Sequence, residues 1–167
     1  MLLCVIEKSQ TMEIINLVTV RELQASDLNF ILSSSIKSIQ SHASKLYPAT
    51  PVRELYEHLE KIILCAFAMP NYSILIACHK DDSDHIIGYL MVDQSKNHVF
   101  LQYTKYAFRK LGVQKHVLLP LLVSIESPIT YEFATKEAVK LSKKLPVIVK
   151  SLFTEQLLEY YLKAEKK

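Results

Sequence analysis

The basic turn around Gly112 is the part of this 167-residue sequence whose residue types and spacing best fit a chemical task. Arg109, Lys110 and Lys115 lie on both sides of Gly112, one of only two glycines in the chain. A strand that gives way to a glycine turn and then to a helix leaves backbone N–H groups unpaired at the positive end of the helix dipole. Unpaired amides beside cationic side chains bind phosphate groups without a metal. The sequence therefore predicts that this turn binds a diphosphate.

The elements on either side of the turn must hold it in place. Residues 99–104 alternate β-branched and aromatic residues with others, which is typical of a strand, and residues 113–123 form an apolar run with helical character. Pro120 lies within that helical run. Because proline has no amide hydrogen and its ring collides with the preceding turn, we expect a kink near His116 or an early end of the helix.

The rest of the chain alternates between predicted strands and helices. Strands are predicted at residues 14–22, 72–78, 85–93, 129–134 and 146–150, the second and third forming an antiparallel hairpin. Helices are predicted at residues 28–42, 52–68, 135–145 and, as a helix or an irregular arm, 153–163. Ser26 or Asp27 caps the first helix, which keeps a serine-rich outer face, and Thr50 caps the second with Pro51 at its first position.

Length and composition favour a single domain over residues 1–167, with residues 1–11 at its periphery. Half of the residues are apolar, and a chain of this size buries roughly two-thirds of its unfolded surface. No apolar run approaches the ~20 residues that cross a bilayer, and the first residues lack the charged start and cleavage site of a signal peptide. Cys4, Cys65 and Cys78 are odd in number and widely spaced, so we expect reduced thiols in a cytoplasmic protein.

Charge is unevenly distributed along the chain. Residues 1–100 carry 8 Lys and Arg against 11 Asp and Glu, a net −3, whereas residues 101–167 carry 12 against 6, a net +6. A basic half suits an anionic cofactor, a nucleic acid or an acidic protein. No aromatic RNA-binding pattern, zinc-finger spacing or helix-turn-helix supports a nucleic acid, and the histidines lack metal-ligand spacing. We therefore expect no metal site and disfavour nucleic acid as a partner.

The turn also resembles a known motif. The segment RKLGVQ, from Arg109 to Gln114, resembles the R/Q-x-x-G-x-G/A signature of the GNAT acyl-CoA N-acyltransferase superfamily, which likewise lies between a strand and a helix. Gly88, within HIIGYLMVD, matches a glycine that is common in the family's preceding strand. Residues 135–146, with Ala138 and Leu141, are similar to the family's N-x-x-A-x-x-L-Y-x-x-x-G helix. The segments 103–109 and 129–131 are more weakly similar to divergent GNAT-like proteins encoded by tailed bacteriophages.

This resemblance, which covers residues 19–146, implies an α/β (α+β) GNAT-like fold in which helices flank a mixed, mostly antiparallel central sheet. It implies acetyl-CoA as cosubstrate and transfer of an acyl group to an amine of a protein or a small molecule; a homodimer is left open. The backbone of Gln102, Tyr103 and Thr104 would pair with the pantetheine amide like an added strand. The N–H groups offered to the pyrophosphate would be those of Arg109, Lys110, Leu111, Gly112, Val113 and Gln114, with charge-assisted contacts from the first two side chains.

Two positions depart from the family pattern and leave the catalytic residues unknown. Gln114 replaces the last small residue of the signature, and its side chain is expected to crowd the diphosphate. Ser142 replaces a tyrosine thought to protonate the leaving thiolate, a task for which a serine hydroxyl has too high a pKa and too short a reach. Tyr131 or Tyr103 could substitute as the acid, and Glu132 or Glu57 could act as the base through water.

The same departures support a second hypothesis. A GNAT-like scaffold that has lost turnover would act by binding another protein, such as a host factor or a virion component. Ser142, Gln114 and the helix interrupted by Pro120 are consistent with this role. An active acyltransferase remains the first hypothesis, because both glycines of the chain fall on positions where the family has glycine.

Overall fold

The computed structural model describes residues 16–46, 51–122, 128–133 and 147–149. A six-stranded sheet runs through these residues, with the strands adjacent in chain order. Its strands are β1 (Val18–Glu22), β2 (Tyr72–His79), β3 (Asp82–Asp93), β4 (His98–Thr104), β5 (Ile129–Tyr131) and β6 (Val147–Val149). Strands β1 to β4 are antiparallel neighbours, whereas β4, β5 and β6 run parallel. The predicted mixed, mostly antiparallel sheet is therefore confirmed.

Helices cover both faces of this sheet, as predicted for the α/β class. Helix α1 (Leu28–Leu46) and helix α2 (Val52–Phe67) pack on one face, and a π-helical segment (Val113–Leu118) with the short helix α3 (Leu119–Leu122) packs on the other. Among the described helices, none has both the length and the apolar content needed to span a bilayer. The elements predicted within residues 1–15, 134–146 and 150–167 fall outside the described residues.

The strands alternate between two apolar clusters, one on each face. Tyr89 and Met91 of β3 face α1 and α2, whereas Leu90 and Val92 of the same strand face the π-helical segment. This alternation follows from the two-residue period of a strand with both faces buried. The register shifts between Met91 and Val92, so that Phe100 of β4 is an extra residue opposite them. Such a bulge bends β4 locally, close to the place where it leaves β5.

Several element boundaries differ from those predicted. Pro51, predicted as the first helical residue, has ψ 139° and therefore precedes α2, while Thr50 lies outside the described residues. The turn between β2 and β3 is also shorter than predicted, because Asp82 already pairs with His79. Ser26 and Asp27, the predicted caps of the first helix, belong to a 3-10 turn (Ala25–Asp27) that leads into it.

Ser35 is buried, as its place among the inward-facing positions of α1 predicts, and Ser34 is also buried, which corrects the prediction that the other serines lie on the outer face. The hydroxyls of Ser34 and Ser35 lie 2.9 and 2.7 Å from the hydroxyl oxygen of Tyr89. Tyr89 is almost completely buried, and burial raises the pKa of its hydroxyl above the ordinary value. A buried tyrosine hydroxyl requires a hydrogen-bond partner, and the two serines supply it from the facing helix.

Two of the three cysteines, Cys65 and Cys78, lie among the described residues. Cys65 and Cys78 form no disulfide, and the buried Cys78 directs its sulfur toward the carbonyl oxygen of Thr19 at 3.7 Å. Cys4 lies outside the described residues.

An ion pair between Arg21 and Asp27 fastens β1 to the start of α1. Arg21 donates from Nη1 and Nη2 to the two carboxylate oxygens of Asp27 at 2.6 and 2.9 Å, and the amide of Gln24 donates to the same carboxylate at 2.9 Å. Bidentate guanidinium–carboxylate contacts are among the stronger hydrogen bonds in proteins. The guanidinium hydrogen bond holds the pKa of the Asp27 carboxyl below its usual value.

Stability is expected to fall in acid through Asp27. Because the folded protein holds this carboxyl ionised to lower pH than the unfolded chain does, its contribution is complete above the ordinary pKa of 3.8 and disappears as the pH falls through the lower folded value. Urea midpoints measured from about pH 5 to about pH 2 should drop less steeply for Asp27→Asn than for the wild type. Equal slopes for the two proteins would contradict this assignment.

Candidate functional site

The turn predicted to bind a diphosphate has an unusual backbone. Lys110 has φ 70° and Gly112 has φ 82°, so two residues of the turn are left-handed. Glycine adopts this conformation without strain, whereas a residue with a side chain such as Lys110 incurs a cost of roughly 1–2 kcal/mol. Left-handed residues that alternate with right-handed ones point successive amides to one side and create anion-binding concavities. Arg109, which precedes Lys110, is extended with φ −67° and ψ 148°, so the turn shares with such concavities its two left-handed residues.

The amides of this turn have no hydrogen-bond partner among the described residues. In the part of the chain that the structure describes, the N–H groups of residues 110 to 115 donate no hydrogen bond, and the first amide that does so is that of His116, to the carbonyl of Gly112 at 2.8 Å. The start of any helix leaves such groups without partners. These amides are therefore available to an anionic ligand.

Pro120 accounts for the irregular helix that follows the turn. The amide of Leu119 donates to the carbonyl of Gln114, five residues earlier, which is a π-helical bond. Proline cannot continue the regular bonding of an α-helix, and π-helical turns absorb such interruptions. The irregularity predicted near His116 is therefore present as a π-helical segment.

Basic side chains surround the turn. Arg109, Lys110, Lys115 and His116 are all exposed. The Nε of Arg109 donates to the carbonyl oxygen of Thr104 at 3.1 Å, and Lys105 lies over the ring of Phe30 with its Nζ 5.2 Å from the centroid. The cations add attraction for an anion to that of the free amides.

One edge of β4 leads directly to the turn. Strand β5 pairs with β4 only at His98 and Val99, whereas the residues from Leu101 to Thr104 have register partners in β3 alone. Since hydrogen bonding alternates along an antiparallel pair and the amide of Lys105 bonds to β3, the backbone groups of Gln102 and Thr104 point to the other side. The pairing of β4 with β5 therefore ends at Val99 and Tyr131, and beyond it no described residue pairs with the side of β4 that faces away from β3.

The side chain of Gln114 does not crowd the turn, contrary to the prediction from the sequence. Its Nε2 donates to the carbonyl oxygens of Tyr103 at 2.7 Å and Tyr89 at 3.1 Å, and lies 3.2 Å from the Oγ1 of Thr104. The side chain is thus engaged with the sheet, where it joins the π-helical segment to β3 and β4. Its Oε1 is buried and has no partner among the described residues.

Position 88 requires a glycine, because the backbone of β4 lies very close to that of β3 there. A Cβ atom at this position would lie 2.5 Å from the backbone oxygen of Tyr103, a separation that real Cβ atoms do not show. The same oxygen accepts the hydrogen bond of Gln114. The two glycines of the sequence therefore act in neighbouring parts of the structure. Gly112 allows the left-handed turn, and Gly88 allows β3 to approach Tyr103, whose carbonyl oxygen accepts the hydrogen bond of Gln114.

A narrow pocket lies beside the end of the pairing between β4 and β5. Its volume is about 20 Å³, which holds little more than one water molecule. Its walls include Ser35, Ser38, Ile39, Tyr89, Val99, Phe100, Leu101, Gln102, Tyr131 and Phe133. A larger ligand enters only if side chains at this opening move.

The four residues predicted as candidate acids or bases have different surroundings. Tyr131 lines the pocket, donates its hydroxyl to the Oε1 of Gln102 at 3.1 Å, and has a pKa raised by burial. Tyr103 stacks on Tyr89 with ring centroids 5.4 Å apart. Glu57 is exposed on α2 and pairs with Arg53 at 3.0 Å. Ser142 falls outside the described residues.

Glu132, the fourth candidate, belongs to a buried cluster that the sequence does not reveal. His98 lies between two residues of the neighbouring segment: its Nδ1 is 2.9 Å from the Oγ1 of Thr130, and its Nε2 is 3.2 Å from the Oε2 of Glu132. The side chains of His98 and Glu132 are 1% and 3% exposed. The cluster joins β4 to β5 at the place where the two strands pair. Among the described residues, no three His, Cys, Asp or Glu side chains are arranged to hold a metal.

Comparison with known proteins gives structural matches only. No protein-family model and no curated protein matches this sequence. A putative acetyltransferase from Pyrococcus furiosus is similar with a TM-score of 0.43 and 12% identity, over 88% of this chain and 91% of that one. The PaiA N-acetyltransferase of Thermoplasma acidophilum, in complex with coenzyme A, is similar with a TM-score of 0.42 and 20% identity, over 87% of each chain. A GNAT-family acetyltransferase from Staphylococcus aureus is similar with a TM-score of 0.40 and 18% identity, and the present chain spans 63% of the length of that protein.

Proposed function

We propose that this protein is a GNAT-type N-acyltransferase that uses acetyl-CoA to acylate an amine of a protein or a small molecule, in the cytoplasm. The observation that carries the proposal is the turn after β4. It combines unpaired amides at residues 110 to 115, left-handed Lys110 and Gly112, and exposed basic side chains. The sequence motif from Arg109 to Gln114 adds independent support.

The strand and the turn divide the binding of acetyl-CoA between them. The diphosphate binds the amides of the turn, with Arg109, Lys110 and Lys115 supplying charge. The pantetheine chain pairs with the backbone groups of Gln102 and Thr104, on either side of Tyr103, as a peptide adds to the edge of a sheet. This arrangement directs the thioester toward the pocket between β4 and β5.

Tyr131 is the candidate acid for the transfer. The amine attacks the thioester carbon, the carbon–sulfur bond breaks, and the thiolate requires a proton. Burial raises the pKa of Tyr131, so its hydroxyl remains protonated at neutral pH, and it lies in the wall of the pocket. The geometry does not single out a base: Glu57 pairs with Arg53 on an exposed helix face, and Glu132 lies beside His98.

A partner-binding protein without turnover is the second candidate. The pocket of about 20 Å³ and the hydrogen bond between Tyr131 and Gln102 across it favour this alternative, because both must change before a thioester enters. In this case the partner is a protein, such as a host factor or a virion component if the chain is of bacteriophage origin. Replacing Gly112 by valine would then leave partner binding intact.

Titration calorimetry with acetyl-CoA separates these functions. Gly112→Val is expected to weaken acetyl-CoA binding at least about tenfold, since a β-branched residue cannot adopt φ 82° and the amides lose their alignment. Lys110→Gly keeps the left-handed backbone and removes the charge, so it should weaken binding by about threefold to tenfold, less in high salt.

The control for these variants is Lys37→Ala, which removes an exposed lysine from α1 and should bind like the wild type. Absence of heat from the wild type at about millimolar acetyl-CoA would remove the transferase proposal. Binding that survives in Gly112→Val would show that the turn is not the diphosphate site.

A further inference from the structure

Tyr106 is the most exposed large apolar side chain of the described residues, at 85%. It belongs to the 3-10 turn Tyr106–Phe108, between the end of β4 and the basic turn. Neighbouring aromatic residues are packed inward: Phe108 contacts the ring of His85 with centroids 5.8 Å apart. The ring of Tyr106 therefore projects from a packed segment, a few residues before the amides that have no partner in the described part of the chain.

The backbone that carries Tyr106 is fixed. The amide of Lys105 donates to the carbonyl of Ile87 at 2.8 Å, and the amides of Phe108 and Arg109 donate to the carbonyls of Lys105 and Tyr106 at 2.9 and 3.2 Å. A ring presented by a rigid segment loses little freedom when a ligand stacks on it, which favours binding.

The guanidinium of Arg109 contacts one face of the Tyr106 ring. The central carbon of its guanidinium lies over the ring, 5.7 Å from the centroid, while its Nε is anchored on the carbonyl oxygen of Thr104. This separation is within the range of a cation–π contact. With the guanidinium on one face and the side chain 85% exposed, the ring presents a free face to solvent.

We propose that Tyr106 is the stacking platform for the purine base of the acyl donor, and that it makes the protein selective for donors that carry a nucleotide. An exposed aromatic ring with a guanidinium beside it stacks on any base, because every base has a π-face. Phosphate-binding amides within a few residues of the ring match a ligand in which a base and a diphosphate are linked. Thioesters carried on phosphopantetheine without a nucleotide lack the base and should bind more weakly.

This inference rests on the proposed function but is tested separately from it. Calorimetry compares coenzyme A with 4′-phosphopantetheine for the wild type, Tyr106→Ala and Tyr106→Phe. Tyr106→Ala is expected to lower the affinity for coenzyme A by about tenfold and to leave that for 4′-phosphopantetheine unchanged. Tyr106→Phe keeps the ring and should retain most of the affinity. Tyr56→Ala, which removes another exposed tyrosine on α2, is the matched control.

Each other outcome overturns the inference. If Tyr106→Ala weakens both ligands equally, the residue acts on the turn and not on a base, although the proposed function stands. If it weakens neither, the ring is not a binding surface. If the wild type binds neither ligand, the proposed function fails first. If single-stranded DNA loses affinity in Tyr106→Ala and coenzyme A does not, the platform serves a nucleic acid.

Discussion

Replacing His98 by leucine is expected to lower the free energy of unfolding by about 3–5 kcal/mol. The substitution removes the imidazole that lies 3.2 Å from the carboxylate of Glu132, in a place where both side chains are almost fully buried. The replacement removes two contacts of the imidazole at once, with Glu132 and with Thr130 Oγ1, and breaking a buried polar pair by removing one member costs more than replacing both members by apolar side chains. Urea unfolding of the purified variant measures the loss.

The double variant His98→Leu with Glu132→Leu is the matched control. Apolar side chains in both positions remove both members of the buried pair, so we expect the double variant to regain most of the stability lost by the single one. Hydrogen exchange gives a second measurement, because the amides of Thr130 and Glu132 donate to β4-side carbonyls at 3.1 and 3.0 Å. Both should lose protection in the single variant. A loss below about 1 kcal/mol in His98→Leu would contradict the role of this pair.

Replacing Gly88 by alanine is expected to lower the free energy of unfolding by about 2–3 kcal/mol. The added Cβ would lie 2.5 Å from the carbonyl oxygen of Tyr103, and a backbone atom cannot rotate away as a side chain does. Strands β3 and β4 must separate locally, and the hydrogen bond from Gln114 to the same oxygen must lengthen. Affinity for acetyl-CoA should therefore fall together with stability.

Gly112→Ala provides the comparison for this prediction. This variant should lower the free energy of unfolding by about 1–2 kcal/mol, because a residue with a side chain is strained at φ 82°. Thermal or urea unfolding of both variants should rank Gly88→Ala as the less stable. The opposite order would show that β3 and β4 separate easily and that Gly88 is not held by the contact with Tyr103.

Local patterns in the sequence predict the elements and the turn. The apolar spacing that predicts a helix over residues 28–42 corresponds to α1, and the alternation over residues 99–104 corresponds to β4. Gly112 among basic residues indicates a turn between a strand and a helix, and that is where the chain turns. These features depend on residues within a few positions of one another, so they can be read from the sequence. Whether the turn binds a diphosphate stays a prediction.

Only the tertiary structure decides which distant side chains meet. Gln114 bonds to Tyr89, 25 positions away, His98 to Glu132, 34 positions away, and Ser34 to Tyr89, 55 positions away. Each contact depends on the register of strands and on the face that a helix turns inward, which no local pattern specifies for a polar side chain. The same holds for the parallel pairing of β4 with β5, because such pairing is set by long-range packing. The sequence alone thus predicted which turn to test for phosphate binding, and the fold decided that, among the described residues, the end of β4 before that turn pairs with β3 alone.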